Sequence, residues 1–418
     1  MNNPVTRNDP QKKLKIAYVH AMEFICTEAN AFDAVWTAAA LSEKIDTTFF
    51  MPSLDSSKAG MRQFYNITGA PLRLQSMYLN YLTDRFLIKF GNYYEQLLSF
   101  YLRYHPAWAG FRGQKILYVR HPKELLFYGL QRERQNWWKD WILCYESHDP
   151  LGMNPNQFQG SNPFDMKDGP EGKRRQAILR AALNFDFIIA NTQVQVDDLK
   201  EWTNGALKPH FIQLASPLPR LKKNPQIRSF GEKVILGYIG TIDQYRGVNI
   251  LLEAMRFLPE KFSLRIVGRL RQEDGADPDW LEKYMQDPQI NSRVELNIVD
   301  SIRDVAGEID RCDIVVQPAS NDVIDSRYAA PLKSFGYMVR GKPIVAGDVL
   351  SHRELFRDGK NAALYRLDPK SLADCVINLV NNPEQAERIA HGAWEQAADY
   401  NFACRAQNIL SLITQTID

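Results

Sequence analysis

The sequence predicts an α/β protein of two Rossmann-like domains, each built on a doubly wound parallel sheet. Three observations predict this fold class. Short apolar, β-branched runs alternate with segments of helical period, these runs form two sets of six, and the Pro- and Lys-containing stretch SPLPRLKKNPQ (216–226) separates the sets. Near-continuous apolar strands separated by helices are typical of parallel sheets covered on both faces. A chain of 418 residues also exceeds what one hydrophobic core usually fills.

The predicted strands define the domain boundaries. The first set is 14–20, 47–51, 115–120, 141–147, 185–191 and 210–215. The second set is 233–240, 262–268, 293–299, 312–318, 343–347 and 362–367. We therefore expect a first domain at 1–217, a second at 218–400, and a C-terminal helix at 401–418 that packs back toward the first domain.

One segment fits the alternation poorly. Residues 60–114 form a predicted insertion that is aromatic-rich, helical in pattern over 72–104, and much richer in basic than in acidic residues. A second aromatic cluster, NWWKDW, follows at 136–141. Amphipathic segments with arginines and aromatic residues can lie on an anionic membrane surface. The alternative is that the aromatic residues pack the insertion onto the first domain, and both interpretations are open.

Charge and cysteine content exclude several classes of protein. A net charge of +2 argues against a dedicated nucleic-acid binder. The five cysteines lie far apart without a C-x-x-C pair, which predicts neither a zinc site nor a disulfide framework and favours a reducing compartment. The first residues lack the apolar core of a signal peptide, and no run of about 18 apolar residues follows. We expect a cytoplasmic protein without a transmembrane span.

The stretch GYIGTIDQYRGV (237–248) leads from a predicted strand into a predicted helix. Backbone N–H groups and the positive end of a helix at such a junction favour an anion. Gly240 allows close approach of the backbone, and Arg246 adds a forked cation suited to phosphate. The stretch matches neither G-x-G-x-x-G nor a P-loop, so it indicates neither a dinucleotide enzyme nor an NTPase. A plain connection with a surface arginine is the alternative.

A second junction occurs in YAAPLKSFGYMVRGKPIVAGD (328–348). Pro331 suits the first position of a helix that Gly341 would end. Arg327 precedes this helix, and Lys333 lies in its first turn. In a doubly wound domain both helix starts lie at the carboxyl ends of strands, where ligands bind. Together with Arg246 they predict a diphosphate site, although Lys333 as a solvated first-turn lysine is an alternative.

These two stretches, together with LRIVG (264–268) and ELFRDGKNAAL (354–364), resemble the C-terminal half of the family-4 (group 1) retaining glycosyltransferases of the GT-B fold. The resemblance covers 233–400 and reaches the first half through YVRHP (118–122), YESHDP (145–150) and IIANT (188–192). It implies two Rossmann-like domains facing across a cleft. It also implies transfer of a sugar, with retention, from a UDP- or GDP-linked donor to a hydroxyl acceptor.

The resemblance further implies the partners. The acceptor would be a glycan, a lipid-linked or a small-molecule hydroxyl compound in cell-envelope polysaccharide, glycolipid or secondary-metabolite synthesis. No cofactor is expected beyond the nucleotide sugar as co-substrate. No metal is expected either, because Arg246 and Lys333 supply the positive charge and no D-x-D motif is found. Peripheral contact with an anionic membrane is a further expectation, and nucleic acid is not a partner.

Several positions depart from the family pattern. Thr241 stands where the family often has an arginine, and Arg246 where it often has a lysine. Tyr328 and Gly336 occupy the two ends of the family's E-x7-E pair, whose second glutamate binds the nucleotide ribose. A lost carboxylate–hydroxyl contact costs about 1.5–3 kcal/mol. A catalytically degenerate GT-B protein that binds or scaffolds is therefore the alternative function.

The resemblance assigns roles to individual residues. The catalytic group is His148, Arg246 and Lys333, with His148 facing the donor sugar or acceptor, although a structural histidine is an equal alternative. The acceptor side is assigned to His20, Glu23 and Glu28, where solvated loop acids are the alternative. The donor and nucleotide contacts are assigned to Gly240, Thr241, Arg246, Gly268, Arg269, Arg327, Ala330, Pro331, Leu332, Lys333 and Gly336.

Overall fold

The computed structural model of the protein describes residues 13–20, 29–52, 58–77, 93–159, 161–227, 229–271, 277, 279–299 and 304–415. The chain divides into two compact units. The first unit comprises Met1–Ser147 and Phe164–Ile189, and the second comprises His148–Pro163 and Ala190–Asp418. The predicted boundary at 217/218 and the packing direction of the C-terminal helix stay predictions.

A seven-stranded sheet contains the strands of the first half of the chain. Its members are β1 (Leu14–Val19), β2 (Asp46–Met51), β3 (Arg73–Ser76), β4 (Gln114–Val119), β5 (Trp141–Ser147), β6 (Phe187–Ala190) and β7 (Pro209–Phe211). The order is β3-β2-β1-β4-β5-β6-β7, and the pairings among the first five strands are parallel. Strand order reverses beside β1, as in a doubly wound sheet.

A six-stranded sheet forms the centre of the second unit. Its members are β8 (Val234–Ile239), β9 (Phe262–Gly268), β10 (Val294–Ile298), β11 (Ile314–Gln317), β12 (Ile344–Gly347) and β13 (Ala363–Tyr365). The order is β10-β9-β8-β11-β12-β13, and every pair is parallel. Apolar side chains on both faces of this sheet are buried under helices, which is why its strands are apolar along their length.

Helices cover both sheets. In the first half of the chain they are α1 (Ala29–Ser42), α2 (Lys58–Phe64), α3 (Tyr93–Tyr104), α4 (Pro106–Ala109), α5 (Pro122–Arg134), α6 (Gly169–Ala182) and α7 (Gln193–Trp202). In the second half they are α8 (Val248–Ala254), α9 (Trp280–Met285), α10 (Pro288–Asn291), α11 (Val305–Asp310), α12 (Leu332–Val339), α13 (Leu350–Arg353), α14 (Pro369–Asn381), α15 (Pro383–Gln396) and α16 (Phe402–Thr414). Within the described ranges, none of these helices combines the length and apolar character needed to span a bilayer.

The segment predicted as a helical insertion contains a strand. Residues 72–104 read as helical, but Arg73–Ser76 pairs in parallel with Thr48–Met51 as the edge strand β3. Helix α3 then begins at Tyr93. A strand of four residues with one buried side chain, that of Leu74, is too short for alternation to stand out from a helical period.

The aromatic cluster at 136–141 belongs to the core of the first unit. Trp138 and Trp141 are buried, and their ring centroids lie 5.5 Å apart. The alternative of core packing therefore holds for these two side chains. Phe100 and Tyr104 of α3 are instead exposed, with ring centroids 4.8 Å apart.

Candidate functional site

Close backbone contacts require glycine at the junction of β8 and α8. A Cβ on Gly268 would lie 1.8 Å from the carbonyl oxygen of Gly240. Gly247, which precedes α8, has φ of +72°, and a Cβ there would lie 2.3 Å from the carbonyl oxygen of Ala319. A side chain at either position would push β8 away from its neighbours, so these glycines fix the path of the loop.

Arg246 is held in this loop by Asp243. The buried Asp243 carboxylate accepts the backbone N–H of Arg246 at 2.8 Å and its side-chain Nε at 3.1 Å. Two contacts from one carboxylate fix both the turn and the direction of the guanidinium. The cation therefore stays at the mouth of α8 instead of extending into solvent.

Lys333 joins the second junction to the first. The residue before α12 is Pro331, so the helix begins at Leu332, one residue later than expected. In the first turn, Lys333 Nζ donates to Tyr238 Oη at 3.1 Å and lies 4.7 Å from the centroid of that ring. A Cβ on Gly240 would lie 3.1 Å from Lys333 Cδ. The lysine stem thus packs directly against the glycine of the first loop.

The two junctions share one electrostatic environment. Burial, followed by repulsion from Arg246, lowers the pKa of Lys333 to about 7, while Asp325 and Asp243 act in the opposite direction. Burial raises the pKa of Asp325, against a hydrogen bond from the Ser320 N–H and attraction by Arg246 and Lys333. Desolvation thus disfavours the charged forms of both Lys333 and Asp325. A bound anion would stabilise the charged form of Lys333.

A π-helical turn, Ile324–Tyr328, precedes the second junction. It is closed by the Ala329 N–H donating to the Ile324 carbonyl at 2.8 Å. The turn places the carboxylate of Asp325 where the Ser320 N–H donates to it at 2.9 Å. π-helical turns are rare and often occur at functional sites.

Arg327, predicted as a donor contact, pairs with Asp198 of α7. Its Nη2 and Nε lie 2.6 and 2.9 Å from the two oxygens of that carboxylate. Tyr328 Oη donates to the same carboxylate at 2.6 Å. The Asp198 carboxylate also raises the pKa of Arg327. These contacts anchor both Arg327 and Tyr328 to α7.

Gly336 is buried beneath an apolar side chain. A Cβ at this position would lie 3.3 Å from Leu218 Cδ1 and 3.6 Å from Ile309 Cδ1. The position at which the resembling family carries its ribose-binding glutamate is thus covered by Leu218. The Tyr328 hydroxyl, at the other end of the same pair of positions, is taken up by Asp198.

His148 lies in the second unit with Asn191 and Asp149. The Asn191 side-chain amide and His148 Nδ1 are 3.2 Å apart. Because an amide N–H donates, Nδ1 is the acceptor and the neutral ring carries its proton on Nε2. Burial raises the pKa of Asp149, while His148 and Arg246 lower it. His148, Asp149 and Arg246 therefore interact electrostatically.

A small cavity adjoins Ala330 and Pro331. It is just large enough for one water-sized group, and buried Asn191 and His352 also line it. His352 Nδ1 donates to the Gly347 carbonyl at 2.8 Å, and burial lowers the pKa of His352 to about 4. The ring is thus neutral, and within the described chain its Nε2 has no hydrogen-bond partner.

The structure brings most of the predicted donor residues to this region of the second unit. The donor residues that belong to the two junctions or to the neighbouring end of β9 are Gly240, Thr241, Arg246, Gly268, Arg269, Ala330, Pro331, Leu332 and Lys333. Arg269 accepts the Ile242 N–H on its carbonyl at 2.8 Å. His20 is fully buried at the end of β1 in the first unit. Glu23 and Glu28 lie outside the described residues.

Sequence reasoning missed the acidic and phenolic partners. Tyr238 and Asp243 hold the two cations, and Asp149 adds a partly buried carboxylate. One local signal was present, because Asp243 stands three residues before Arg246, the spacing of an aspartate that caps a turn. The Asp325 carboxylate is also buried, which no pattern in the sequence indicates.

Comparison with known proteins finds a family that matches part of the chain and solved structures that share its fold. Residues 220–396 match the model of the family described as glycosyl transferases group 1. A phosphatidyl-myo-inositol mannosyltransferase of Mycobacterium leprae (strain TN) is 28% identical over 236 residues, covering 52% of this chain and 57% of that protein. A D-inositol 3-phosphate glycosyltransferase of Corynebacterium urealyticum is 22% identical over 250 residues, covering 55% and 56%. The chain spans little more than half the length of these curated relatives.

Solved structures match over nearly the whole chain. Anabaena Alr3699/HepE, in complex with UDP and glucose, superposes with a TM-score of 0.66 at 15% identity, covering 96% of this chain and 99% of that chain. Sucrose-phosphate synthase (tll1590) from Thermosynechococcus elongatus superposes with a TM-score of 0.70 at 16% identity, covering 97% and 99%. At these identities the likeness shows the fold, which is GT-B as the sequence predicted.

Proposed function

We propose that this chain, whose residues 220–396 match the family of group 1 glycosyl transferases, moves a sugar from a nucleotide-diphosphate sugar to a hydroxyl acceptor. One observation carries the proposal. Lys333, from the second strand–helix junction, reaches Tyr238 at 3.1 Å and packs on Gly240 of the first, where Asp243 holds Arg246. Two cations from separate turns thus flank one place for an anion.

The proposed reaction is a retaining transfer driven by stabilisation of the leaving group. As the bond between the anomeric carbon and the diphosphate oxygen breaks, Lys333 and Arg246 stabilise the charge that develops on that oxygen. The acceptor hydroxyl attacks from the face that the diphosphate leaves and passes its proton to a departing phosphate oxygen. His148 would donate from Nε2 to a hydroxyl of the donor or acceptor. The two side-chain cations supply the charge that a divalent metal supplies elsewhere.

The acceptor is proposed to be a polyol or lipid-linked hydroxyl compound. The names of the relatives, a phosphatidyl-myo-inositol mannosyltransferase and a D-inositol 3-phosphate glycosyltransferase, support this class. HepE was solved with UDP-glucose as well as with UDP and glucose, which supports a UDP-linked donor.

The nucleotide is tested by calorimetric titration and thermal unfolding with UDP, GDP and ADP. We expect one of them, UDP first, to bind and raise the melting temperature, because a ligand at about 100 times its Kd stabilises the native state by ~2.7 kcal/mol. Arg246→Ala should weaken that binding about tenfold or more. Arg256→Ala is the matched control, since Arg256 also pairs with an acid three residues earlier and is similarly exposed.

The same titration has a defined dependence on pH. A bound diphosphate raises the lowered pKa of Lys333, so binding takes up a proton and affinity falls as pH rises above the free value of about 7. The series is best run from about pH 7 to pH 9, above the pKa of ~6 of a terminal phosphate. The proposal fails if no nucleotide binds at millimolar concentration, or if the affinity is changed neither by Arg246→Ala nor by pH.

A second candidate is a degenerate GT-B protein that binds a nucleotide or scaffolds without transfer. Two contacts favour it. Leu218 covers Gly336, and Asp198 accepts the hydroxyl of Tyr328, so both positions of the family's acidic pair are engaged in other contacts. The two candidates differ in turnover. Release of UDP from UDP-glucose, stimulated by a polyol acceptor, supports the transferase, whereas tight UDP binding with no release supports the scaffold.

Peripheral contact with an anionic membrane is a further part of the proposal. Helix α3 exposes Phe100 and Tyr104, with Arg103 5.1 Å from the centroid of the Tyr104 ring. Aromatic side chains beside a cation suit the interface of an anionic bilayer. We expect Phe100→Ser/Tyr104→Ser to reduce flotation with anionic vesicles, with Phe257→Ser, an equally exposed aromatic of the second unit, as control. Wild-type protein that stays at the bottom of the gradient would contradict this contact.

A further inference from the structure

A second cavity lies in the first unit, whereas the residues of the proposed transfer reaction belong to the second unit. Its volume of about 370 Å³ falls within the range of roughly 300–1,000 Å³ typical of small-molecule sites. Its walls carry four cations and two aromatic rings, those of Lys15, Lys58, Arg62, Arg73, Tyr101 and Trp108. None of the described residues that line it is a carboxylate.

The cavity lies at the amino-terminal edge of the seven-stranded sheet. Lys15 is the second residue of β1 and stands in register with Asp46, the first residue of β2. Arg73 is the first residue of β3. Substrates of doubly wound sheets bind at the opposite, carboxyl edge. A ligand here would therefore occupy a place distinct from the acceptor side of the sheet.

Backbone contacts hold two of the cations in place. Lys15 is 5% exposed, donates from Nζ to the Ala107 carbonyl at 2.7 Å, and lies 4.5 Å from the centroid of the Trp108 ring. Arg62 donates to the carbonyls of Ala70, at 2.8 Å, and Leu72. Carbonyl partners hold these side chains in place without neutralising their charge. The side chains are therefore already ordered before a ligand binds, and binding loses less entropy.

The positive charge of the cavity is only partly compensated. Asp46 contacts Arg73 and lies 3.6 Å from Lys15 Nζ, so one carboxylate faces two of the four cations. Lys58 is exposed at the start of α2 and adds a further ammonium group. A dianion bound between these groups would offset most of this excess positive charge, and phosphate is an anion that clusters of lysine and arginine bind well.

We propose that this cavity binds a phosphate monoester of a sugar or polyol, either free or as a lipid headgroup. The phosphate would contact Lys15, Lys58 and Arg73, and the ring of the ligand would pack on the half-buried Tyr101, since aromatic faces suit the C–H faces of such rings. The proposal does not depend on sugar transfer. It concerns a second site whose ligand is bound and not transformed.

The test measures binding of two probes, glucose 6-phosphate and phosphatidylcholine vesicles with or without phosphatidylinositol 4-phosphate. Lys58→Gln/Arg73→Gln removes two cations of the cavity and leaves the carbonyl-bound Lys15 and Arg62 intact. Lys44→Gln/Arg112→Gln, two exposed cations outside the cavity, is the matched control. Lys333→Met reports binding at the nucleotide site, and melting temperatures confirm that each variant is folded.

We expect the cavity variant to bind its probe at least about tenfold more weakly, while the control and Lys333→Met bind as wild type does. Binding of glucose 6-phosphate identifies a free ester as ligand, and binding of phosphoinositide vesicles alone identifies a headgroup. The proposal is overturned if neither probe binds, if the cavity variant binds normally, or if only Lys333→Met loses binding. UDP titration of the same variants separates this outcome from failure of the transferase proposal.

Discussion

Lys333→Met is expected to lower kcat for sugar transfer by about 10²–10³, the loss seen when one preorganised donor to a developing oxyanion is removed. The reason is geometric, because Lys333 Nζ is fixed 3.1 Å from Tyr238 Oη and its stem lies against Gly240. Methionine preserves the length of the stem and its packing. The rate of UDP release from the donor sugar, measured at saturating donor, reports the effect.

The same substitution should not lower the melting temperature. Desolvation lowers the pKa of Lys333, so the charged side chain destabilises the empty site and its removal costs the fold nothing. Lys342→Met is the matched control, because burial also lowers the pKa of Lys342 but its Nζ donates to the carbonyls of Asp310 and Cys312. The control should lose stability and keep its turnover. A Lys333→Met enzyme that retains wild-type kcat would remove the leaving-group role.

Arg120→Met is expected to destabilise the protein by about 3–5 kcal/mol, the cost of breaking a buried ion pair by removing one partner. Arg120 follows β4 and is surrounded by Asp33 of α1 and Glu146 of β5. All three side chains are at most 1% exposed. Without the guanidinium, two carboxylates are left in a dry site facing each other. The midpoint of urea unfolding measures the loss.

The deficit of Arg120→Met should shrink at acid pH. Burial without a cation favours the neutral form of a carboxyl group, so the lost stability is regained as pH falls and lost again as pH rises. Arg132→Met is the control, because its pair with Asp186 is partly exposed and is worth about 0–1 kcal/mol. Equal losses for the two variants, or a loss independent of pH, would show that the Arg120 cluster does not act as a buried ionic network.

The fold was predictable because most of its strands are buried on both faces. All twelve predicted strands are present with ends that shift by a few residues, since an apolar run such as VILGYIG is read directly from the sequence. Strand β3 was not predicted, because only Leu74 is buried in four residues. Its place is decided by pairing with β2, a contact across more than 20 residues that local pattern does not encode.

Only the cationic residues of the candidate site were predictable from the sequence. Lys333 and Arg246 follow strand ends, and parallel strands bring such ends to one edge whatever the loops contain. Their partners follow from packing instead. Arg327 pairs with Asp198, 129 residues earlier, and the group over Gly336 is Leu218 of the segment between the two strand sets. No spacing rule in the sequence links these residues.

The π-helical turn at Ile324–Tyr328 makes the length of this segment critical. Its bond between the Ala329 N–H and the Ile324 carbonyl encloses one residue more than an α-turn, so deleting one residue here would leave an ordinary α-turn. A deletion after Asp325 would shorten the path to Lys333, so we expect that these residues could not both keep their contacts with the Ser320 N–H and with Tyr238. We therefore expect that deletion of a single codon in this segment would disrupt the proposed anion site while leaving the six-stranded sheet intact.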